Sequence, residues 1–300
     1  MSSVQTAHLH DRGIVAVSGG DAEHFLQGLV TNDVLGLAEG TARFAGLLSP
    51  QGKIQFEFFI VPHKDGFLLD ASAEKVGELA KRLLFYKLRA DVAIADLSND
   101  HLVVAQWMAG DGGPADFPPL PALVVFDDPR HAKLGRRGIV PTSDQSQVES
   151  GWREDTADYH AHRIRLGIPE GGLDYPLGDT FPHEACWDDL AGVDFEKGCF
   201  VGQEVVSRMQ HRGTARRRAI PVEAASPLPA PGTEINAGDV PVGLLGSSAD
   251  TLAIAMLRLD RVAKAFGQAT ELDAAGVKLW PRQPDWARFE VTLAPAPVKG

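Results

Sequence analysis

The chain has 300 residues, of which 44% are hydrophobic and 23% are charged, and its formal net charge is −11. This length and composition predict a globular protein of one large or two medium domains. An acidic chain is poorly suited to general binding of the phosphate backbone, so we expect no direct nucleic-acid partner.

The cysteine content and the N-terminal sequence limit the cellular compartments in which the protein is expected. Two cysteines, Cys186 and Cys199, indicate a reducing compartment without a disulfide framework, and they cannot complete a four-ligand metal or cluster site alone. Residues 1–11 lack the apolar core of a signal peptide, and no apolar run reaches the ~20 residues that span a bilayer. We therefore expect a cytoplasmic protein with no membrane contact and no metal site.

The elements in chain order begin with an amphipathic helix over residues 19–33, then a strand–turn–strand over residues 42–61. The clearest helix, with one apolar stripe, covers residues 73–88. Further helices are predicted over residues 154–167 and 202–210. The remaining strands are predicted over residues 66–71, 90–95, 102–107 and 122–126, a Gly/Pro-rich loop over 110–121 and a fraying tail over 294–300.

The character of the sequence changes after Gly213. Short strand-like pieces over residues 219–222, 240–245, 252–257 and 276–279 alternate with glycine and proline. This pattern predicts a small β-rich domain, a barrel, over residues 214–300. The remainder, residues 1–213, would form an α/β region.

The densest chemical feature is the segment Lys-Gly-Cys-Phe-Val-Gly-Gln-Glu at residues 197–204, here called the signature segment. Cys199 lies beside Lys197 and just before a predicted helix, a position that can activate a thiol as the reactive group. The alternative is a small buried cysteine at a turn. Cys186 is predicted to pack in the core, and Asp188 with Asp189 to lie on a solvated face.

The signature segment resembles that of YgfZ-type proteins, which are similar to the GcvT aminomethyltransferases. Four shorter segments resemble the same family in the same order. They are Phe-Leu-Gln-Gly-Leu-Val-Thr-Asn-Asp-Val at residues 25–34, Gln-Gly-Lys at 51–53, Tyr-Lys-Leu-Arg-Ala at 86–90 and Pro-His-Glu at 182–184. The resemblance covers roughly residues 12–260. Within the family, the chain resembles the branch that contains the mitochondrial iron–sulfur assembly factor.

The resemblance implies an α+β fold in which two intertwined α/β subdomains and a C-terminal β-barrel form a ring around a folate-sized hole. It implies tetrahydrofolate or a related folate as cofactor. Glu184 would accept the two adjacent N–H groups of the pterin edge, as a carboxylate does from arginine; the alternative is an exposed glutamate at a helix start.

Other side chains would bind the remaining parts of the folate. Arg208 and Arg216, in the basic run between residues 208 and 218, would hold its anionic tail; the alternative is a solvated linker. Asn32, Lys197 and Gln203 complete the expected binding set, although Asn32 could instead cap a turn.

One departure from the family bears on mechanism. Aminomethyltransferases carry an Asp-Asp pair where this chain has Gln55-Phe56-Glu57, so the resemblance implies an accessory protein for iron–sulfur client or assembly proteins. Transfer RNA modification would be served indirectly. Two alternatives stay open: a folate-dependent one-carbon or aminomethyl transferase using Glu57 or Asp33, and a non-catalytic docking adaptor.

Overall fold

The computed structural model describes residues 4–110, 117–145, 155–213 and 215–293. The chain divides into two compact units, each built from two separate stretches of sequence. Unit 1 comprises Met1–Tyr159 and Leu190–Val205, and unit 2 comprises His160–Asp189 and Val206–Gly300. No helix among the described residues is long and apolar enough to cross a membrane.

Unit 1 contains a five-stranded antiparallel sheet covered on one face by two helices. Its strands are β2 (Arg12–Ser18), β3 (Arg43–Leu48), β4 (Ile54–His63), β5 (Gly66–Ser72) and β6 (Ala93–Asp96), in the order β3-β4-β5-β2-β6. The helices are α1 (Ala22–Gln27) and α2 (Val76–Lys87). Phe56, Phe58 and Ile60 alternate along β4 and share one apolar core with Leu79 and Leu83 of α2. Alternation with a period of two is typical of a strand that turns one face to helices.

A second antiparallel sheet in unit 1 has the order β1-β7-β9-β8. Its strands are β1 (Val4–His8), β7 (His101–Met108), β8 (Val124–Asp127) and β9 (Arg136–Pro141), with short 3-10 turns at Ala132–Leu134 and Thr142–Asp144.

Side chains from both sheets meet in a buried ionic cluster, here called the arginine network. Its members are Arg12, Asp70, Asp128, Arg130, Arg137 and Tyr159. Arg137 of β9 donates to Asp70 of β5 at 2.9 Å, to Asp128 at 3.3 Å and to the Tyr159 hydroxyl at 2.8 Å. Its guanidinium also lies 4.3 Å from the ring centroid of Phe59. Buried charges are tolerated when they are paired and hydrogen-bonded, as these are.

Unit 2 is dominated by a closed barrel. Its strands are β10 (Arg217–Ala224), β11 (Glu234–Ala237), β12 (Val240–Ala249), β13 (Leu252–Arg258), β14 (Leu272–Ala274) and β15 (Val277–Pro281), in the order β10-β13-β12-β11-β14-β15. The barrel core includes Ile220, Val222, Leu245 and Leu257, and Val262 from helix α5 (Leu259–Gly267) packs into it. Two further helices among the described residues are α3 (Thr156–Arg165) and α4 (Gln203–Arg212), and the unit boundaries at residues 159 and 205 fall within them.

The α+β class and the C-terminal barrel are confirmed. The domain division at residue 213 stays a prediction. The predicted loop over residues 110–121 lies partly outside the described residues, as does the first residue of the helix predicted over 154–167. The predicted tail over 294–300 lies wholly outside them.

The helix predicted over residues 19–33 is wrong beyond Gln27. Val30 instead forms a bridge with Leu47 of β3, and the Thr31 N–H donates to the Gly46 carbonyl at 3.0 Å. β-branched residues favour such strand-like pairing, so it replaced the helical continuation here. Five strands and one helix of the structure were not predicted from the sequence, namely β1, β2, β9, β11, β14 and α5.

Candidate functional site

The chain just before the signature segment is tied to the turn that follows α1. Thr31 Oγ1 donates to the Gly192 carbonyl at 2.7 Å, and the Asp194 N–H donates to the Thr31 carbonyl at 3.0 Å. Asn32 Nδ2 donates to the Ala191 carbonyl at 2.7 Å and to a carbonyl of β3 at 2.9 Å. The buried amide of Asn32 therefore links β3 to the chain before the signature segment, and its expected contact with folate stays a prediction.

Lys197, the first residue of the signature segment, caps the end of α1. Its Nζ donates to the carbonyls of Gln27 at 2.8 Å and Val30 at 2.6 Å, and it lies 5.5 Å from the Phe200 ring centroid. A cation is favourable at the carbonyl end of a helix. Burial lowers the pKa of Lys197 to about 8, although two nearby carboxylates oppose the change. Lys197 therefore anchors the signature segment to the end of α1, and its ammonium group loses its proton at a lower pH than an exposed lysine does.

Two of the sequence motifs meet at a pair of glycines within unit 1. Gly202 has a φ of +83°, and a Cβ there would lie 2.5 Å from the Ser49 carbonyl oxygen. Gly52, in the turn between β3 and β4, has a φ of +79°, and a Cβ there would lie 2.9 Å from Cβ of Val205. Both positions need glycine for conformation and for space. The hairpin turn and the signature segment therefore pack backbone against backbone.

Cys199 lies between these two anchors and is exposed. Its neighbour Gly198 has a φ of +93° and open space around it, whereas Phe200 on the other side is buried. Cys186 is buried, its Sγ donates to the Ala219 carbonyl at 3.3 Å, and burial raises the pKa of its thiol to about 12. The alternative of a buried structural cysteine is therefore wrong for Cys199 and fits Cys186.

Gln203 is the first residue of α4. Its N–H donates to the Phe200 carbonyl at 3.2 Å, and its side chain is half-buried. It therefore continues the signature segment into a helix, and its expected contact with folate stays a prediction.

Glu184, in unit 2, is held by an arginine fork. Arg217 donates from Nε to Oε1 at 3.0 Å and from Nη2 to Oε2 at 2.9 Å, and the Phe181 N–H donates to Oε2 at 3.0 Å. The hydrogen bond to Glu184 raises the pKa of Arg217. The Glu184 side chain is 14% exposed, so the alternative of an exposed glutamate is wrong. The carboxylate is accepting two parallel N–H groups, the pattern that a pterin edge would offer.

The basic run does not act as one cationic patch. Arg208 on α4 and Arg216 just before β10 are exposed. Arg218 is buried and donates to both oxygens of Asp188 at 2.6 Å and 2.9 Å. With Arg217 on Glu184, two arginines of the run are neutralised by carboxylates. The prediction of a solvated face for Asp188 is wrong, because its side chain is needed to pair this arginine.

The expected site residues fall into two sets, one in each unit. Unit 1 contains Asn32, Lys197, Cys199 and Gln203. Unit 2 contains Glu184, Arg208 and Arg216.

The carboxylates of the transferase alternative are both in unit 1. Glu57 is buried in β4 opposite Gly46 of β3, and strand alternation places it on the same sheet face as Phe59. Asp33 is half-buried, and its Oδ1 accepts from Gln27 Nε2 at 2.8 Å. Each carboxylate therefore lies in a packed or hydrogen-bonded setting.

Arg217 was expected only as one cation of the basic run, so its pairing with Glu184 was not predicted, and neither was the part played by Thr31. Strand alternation was the available signal for Arg217, because neighbouring residues of a strand face opposite sides and so reach different carboxylates. Among the residues the structure describes, no group of three or more His, Cys, Asp or Glu side chains could hold a metal ion.

Comparison with known proteins places the chain in a family. Residues 216–289 match the model of the CAF17 C-terminal β-barrel domain. The chain is 36% identical over 246 residues to the mitochondrial iron–sulfur cluster assembly factor IBA57 homolog of Mycosarcoma maydis, a match that covers 76% of this chain and 60% of the relative. It is 30% identical over 303 residues to the mitochondrial factor IBA57 of Homo sapiens, covering 93% and 84% of the two chains.

Among solved structures, the chain is similar to the glycine cleavage system aminomethyltransferase T from Bartonella henselae. The TM-score is 0.72 at 16% sequence identity, and the match covers 95% of this chain and 86% of that chain. This likeness confirms the GcvT-like fold implied by the sequence motifs.

The prediction of a cytoplasmic protein is wrong, because these relatives are mitochondrial proteins. Unpaired thiols indicate a reducing compartment without saying which one. With 30% identity to a human factor of which it covers 84%, the chain belongs to the IBA57 family of iron–sulfur cluster assembly factors.

Proposed function

We propose that this protein supports the assembly or repair of iron–sulfur clusters in client enzymes, and that Cys199 is the thiol that meets the cluster in transit. The observation that carries the proposal is the exposure of Cys199 on a segment anchored at both sides. The names of the relatives support the class of client.

The chemistry of a single thiolate sets what Cys199 can do. A thiolate is a strong ligand for iron, yet iron–sulfur clusters are held by about four protein ligands. The described residues offer no set of three or more that could hold a metal ion. One thiolate would therefore share a cluster with ligands from a partner protein, and the cluster would pass through as cargo.

The anchors of the signature segment suit such a handover. Lys197 fixes one side of Cys199 to the end of α1, and Gly202 fixes the other side to the hairpin turn at Ser49. A reactive group held by packed neighbours keeps its position without first being ordered by the partner. The thiol would thus be presented at a constant place on the surface of unit 1.

Replacement of Cys199 by serine tests this role. We expect Cys199→Ser to lose most of the activity of a [4Fe–4S] client enzyme matured in cells that lack the native protein. The matched control is Cys186→Ser, which removes a buried thiol and should leave client activity close to normal. Undiminished maturation with Cys199→Ser would overturn the proposal in favour of the docking adaptor.

We also propose tetrahydrofolate or a related folate as a ligand, which would supply a readily oxidised pterin ring. The Glu184 carboxylate already accepts two parallel N–H donors, which is the chemistry that pterin recognition requires. A pterin would exchange with Arg217 on this carboxylate. Arg208, Arg216 and the released Arg217, which belong to the same unit as Glu184, would then supply cations for the anionic tail.

Equilibrium titration with tetrahydrofolate tests the ligand separately from the thiol. Glu184→Gln should weaken binding, because one acceptor oxygen becomes a donor. Glu223→Gln, which alters an exposed carboxylate of β10, is the matched control and should bind normally. An absence of saturable binding to the unaltered protein would remove the folate proposal and leave the cluster proposal standing.

Any effect on transfer RNA would be indirect, through an iron–sulfur enzyme that modifies it. A net charge of −11 is unfavourable for direct binding of the phosphate backbone. We therefore expect no binding of transfer RNA at physiological salt.

A further inference from the structure

The exposed face of α2 carries apolar side chains that belong to no core. Leu84, Phe85 and Leu88 are 51%, 72% and 88% exposed. Lys81, Arg82 and Arg89 beside them are exposed as well, and these six residues are here called the α2 patch. Contiguous exposed apolar side chains with a polar rim are typical of protein interaction sites.

Helix geometry shows that the patch faces away from the core. Val76, Leu79 and Leu83 are the buried residues of α2 and follow the i, i+3, i+7 spacing of one helix face. At 100° per residue, Phe85 projects from nearly the opposite side of the helix. Its ring meets the adjacent Tyr86 ring edge-on, with 5.7 Å between the centroids, but packing within unit 1 leaves 72% of the side chain exposed.

The backbone at the end of α2 holds Leu88 outward in an uncommon conformation. Leu88 follows the last helical residue with a φ of +46°, in the region where glycine is the usual residue. Its exposure means that burial of the side chain does not compensate for this backbone strain. Strained residues persist mainly where function selects them.

The charges around the patch indicate the kind of partner. Residues 74–91 carry five cations and three carboxylates, within a chain whose net charge is −11. A locally basic, apolar surface on an acidic protein selects an acidic surface by charge complementarity. We propose that the α2 patch is the docking surface for a partner protein that presents an acidic helix with apolar side chains.

Two other occupants fit the charges less well. A second copy of this chain would bring the same cationic rim against itself, because a two-fold contact pairs identical patches. An anionic membrane would attract the patch but repel the acidic remainder of the chain. The charge pattern therefore favours a different protein over both.

Fluorescence anisotropy with a designed probe tests the proposal. The probe is a labelled helical peptide with leucine and phenylalanine at i, i+3, i+4 and i+7 and glutamate elsewhere. We expect saturable binding to the full chain and at least a tenfold loss for the double variant Phe85→Ser/Leu88→Ser. Leu244→Ser, which changes a leucine of β12 that is 50% exposed, is the control and should bind normally.

Reversing the charge of a lysine tests the electrostatic part of the proposal. Lys81→Glu should weaken the probe several-fold, whereas Lys264→Glu, the same change on an exposed face of α5, should not. A matched peptide with lysine in place of glutamate should not bind. Equal binding of the two peptides, or no loss in the double variant, would overturn the proposal.

The competing occupants are tested with the same variants. Light scattering reports self-association, and sedimentation with phosphatidylserine vesicles reports membrane binding. Either activity, if abolished by Phe85→Ser/Leu88→Ser, would overturn the proposal in favour of that occupant. Circular dichroism should show unchanged folding, because the substituted side chains are exposed.

Discussion

Replacing Lys197 by methionine should loosen the signature segment and lower the stability of the protein. Methionine keeps the length of the side chain but cannot donate to the carbonyls of Gln27 and Val30. Hydrogen bonds that involve a charged group contribute about 1.5–3 kcal/mol each. Loss of the two hydrogen bonds therefore removes roughly 3–6 kcal/mol of favourable interaction from the folded state.

The burial of the ammonium group offsets part of this loss. Lowering the pKa of Lys197 from 10.5 to about 8 corresponds to a cost of ~3 kcal/mol, or about half of that once solvent screening of a half-buried group is included. We expect a net destabilisation on the order of 2 kcal/mol at pH 7 for Lys197→Met, which lowers Tm by about 4–8 °C for a unit of this size.

The pH dependence has a definite sign. The pKa of Lys197 is lower in the folded protein than in the unfolded chain, so between about pH 8 and pH 10.5 the unfolded chain binds more protons. Stability of the native protein therefore rises with pH across this window relative to the variant. The neutral amine still has two N–H groups for the two carbonyls, so the anchor survives deprotonation.

Urea unfolding of the native protein and Lys197→Met at pH 7 and pH 10 measures both effects. The difference in the free energy of unfolding should widen by about 1.5 kcal/mol at the higher pH. Other titrating groups cancel in the comparison of the two proteins. A difference that shrinks or stays constant with pH would show that the ammonium group is not buried as described.

Three further outcomes follow from the structure. Gly202→Ala should destabilise by about 2–4 kcal/mol in urea unfolding, since its Cβ would clash with a backbone oxygen, whereas Gly198→Ala has open space and should cost only about 1 kcal/mol. Arg137→Met should cost about 3–5 kcal/mol by the same assay, because it leaves two buried aspartates short of a partner; a neutral result would show that the charges are dispensable. In timed alkylation with iodoacetamide at pH 8, Cys199 should react much faster than Cys186, whose thiol is buried and whose pKa is raised to about 12; equal rates read by mass spectrometry would contradict the described burial.

The strands near the hairpin and in the barrel were readable because each is a short apolar run bounded by turn residues. Residues 54–61 follow such a turn and were predicted as a strand, although both faces of β4 are buried, and β12 and β13 were anticipated by glycine and proline at their ends. In contrast, β2 contains Gly13 and lies between two strands in the sheet, so its pairing depends on residues that are far away in sequence. Local propensity gives little information about such a strand.

The arginine network was beyond sequence reasoning. Arg12, Asp70 and Arg137 come from three strands of two sheets, and each taken alone is predicted to be an exposed charge. Only the packing of the two sheets brings the partners within hydrogen-bonding distance. The same limit applies to Arg217, whose fork on Glu184 joins positions 33 residues apart.

The candidate thiol shows the reverse situation. The sequence placed Cys199 at a turn between glycines, and the structure leaves that cysteine exposed. What could not be anticipated is the support beneath it, where Lys197 reaches back to carbonyls some 170 positions earlier. Sequence therefore indicated the candidate thiol, and only the fold revealed how its segment is held.

The interleaved composition of the two units has a consequence for biosynthesis and for engineering. Unit 1 needs residues 190–205 and unit 2 needs residues 160–189, so no single cut in the gene separates the units intact. During translation, the sheets of unit 1 can form early, but the segment that bears Cys199 arrives only after part of unit 2 has emerged. Unit 1, with its thiol and both anchors, is complete in sequence once residue 205 has been made, whereas the strands of the barrel begin only at Arg217, so the Cys199 segment can be held in place before the barrel exists.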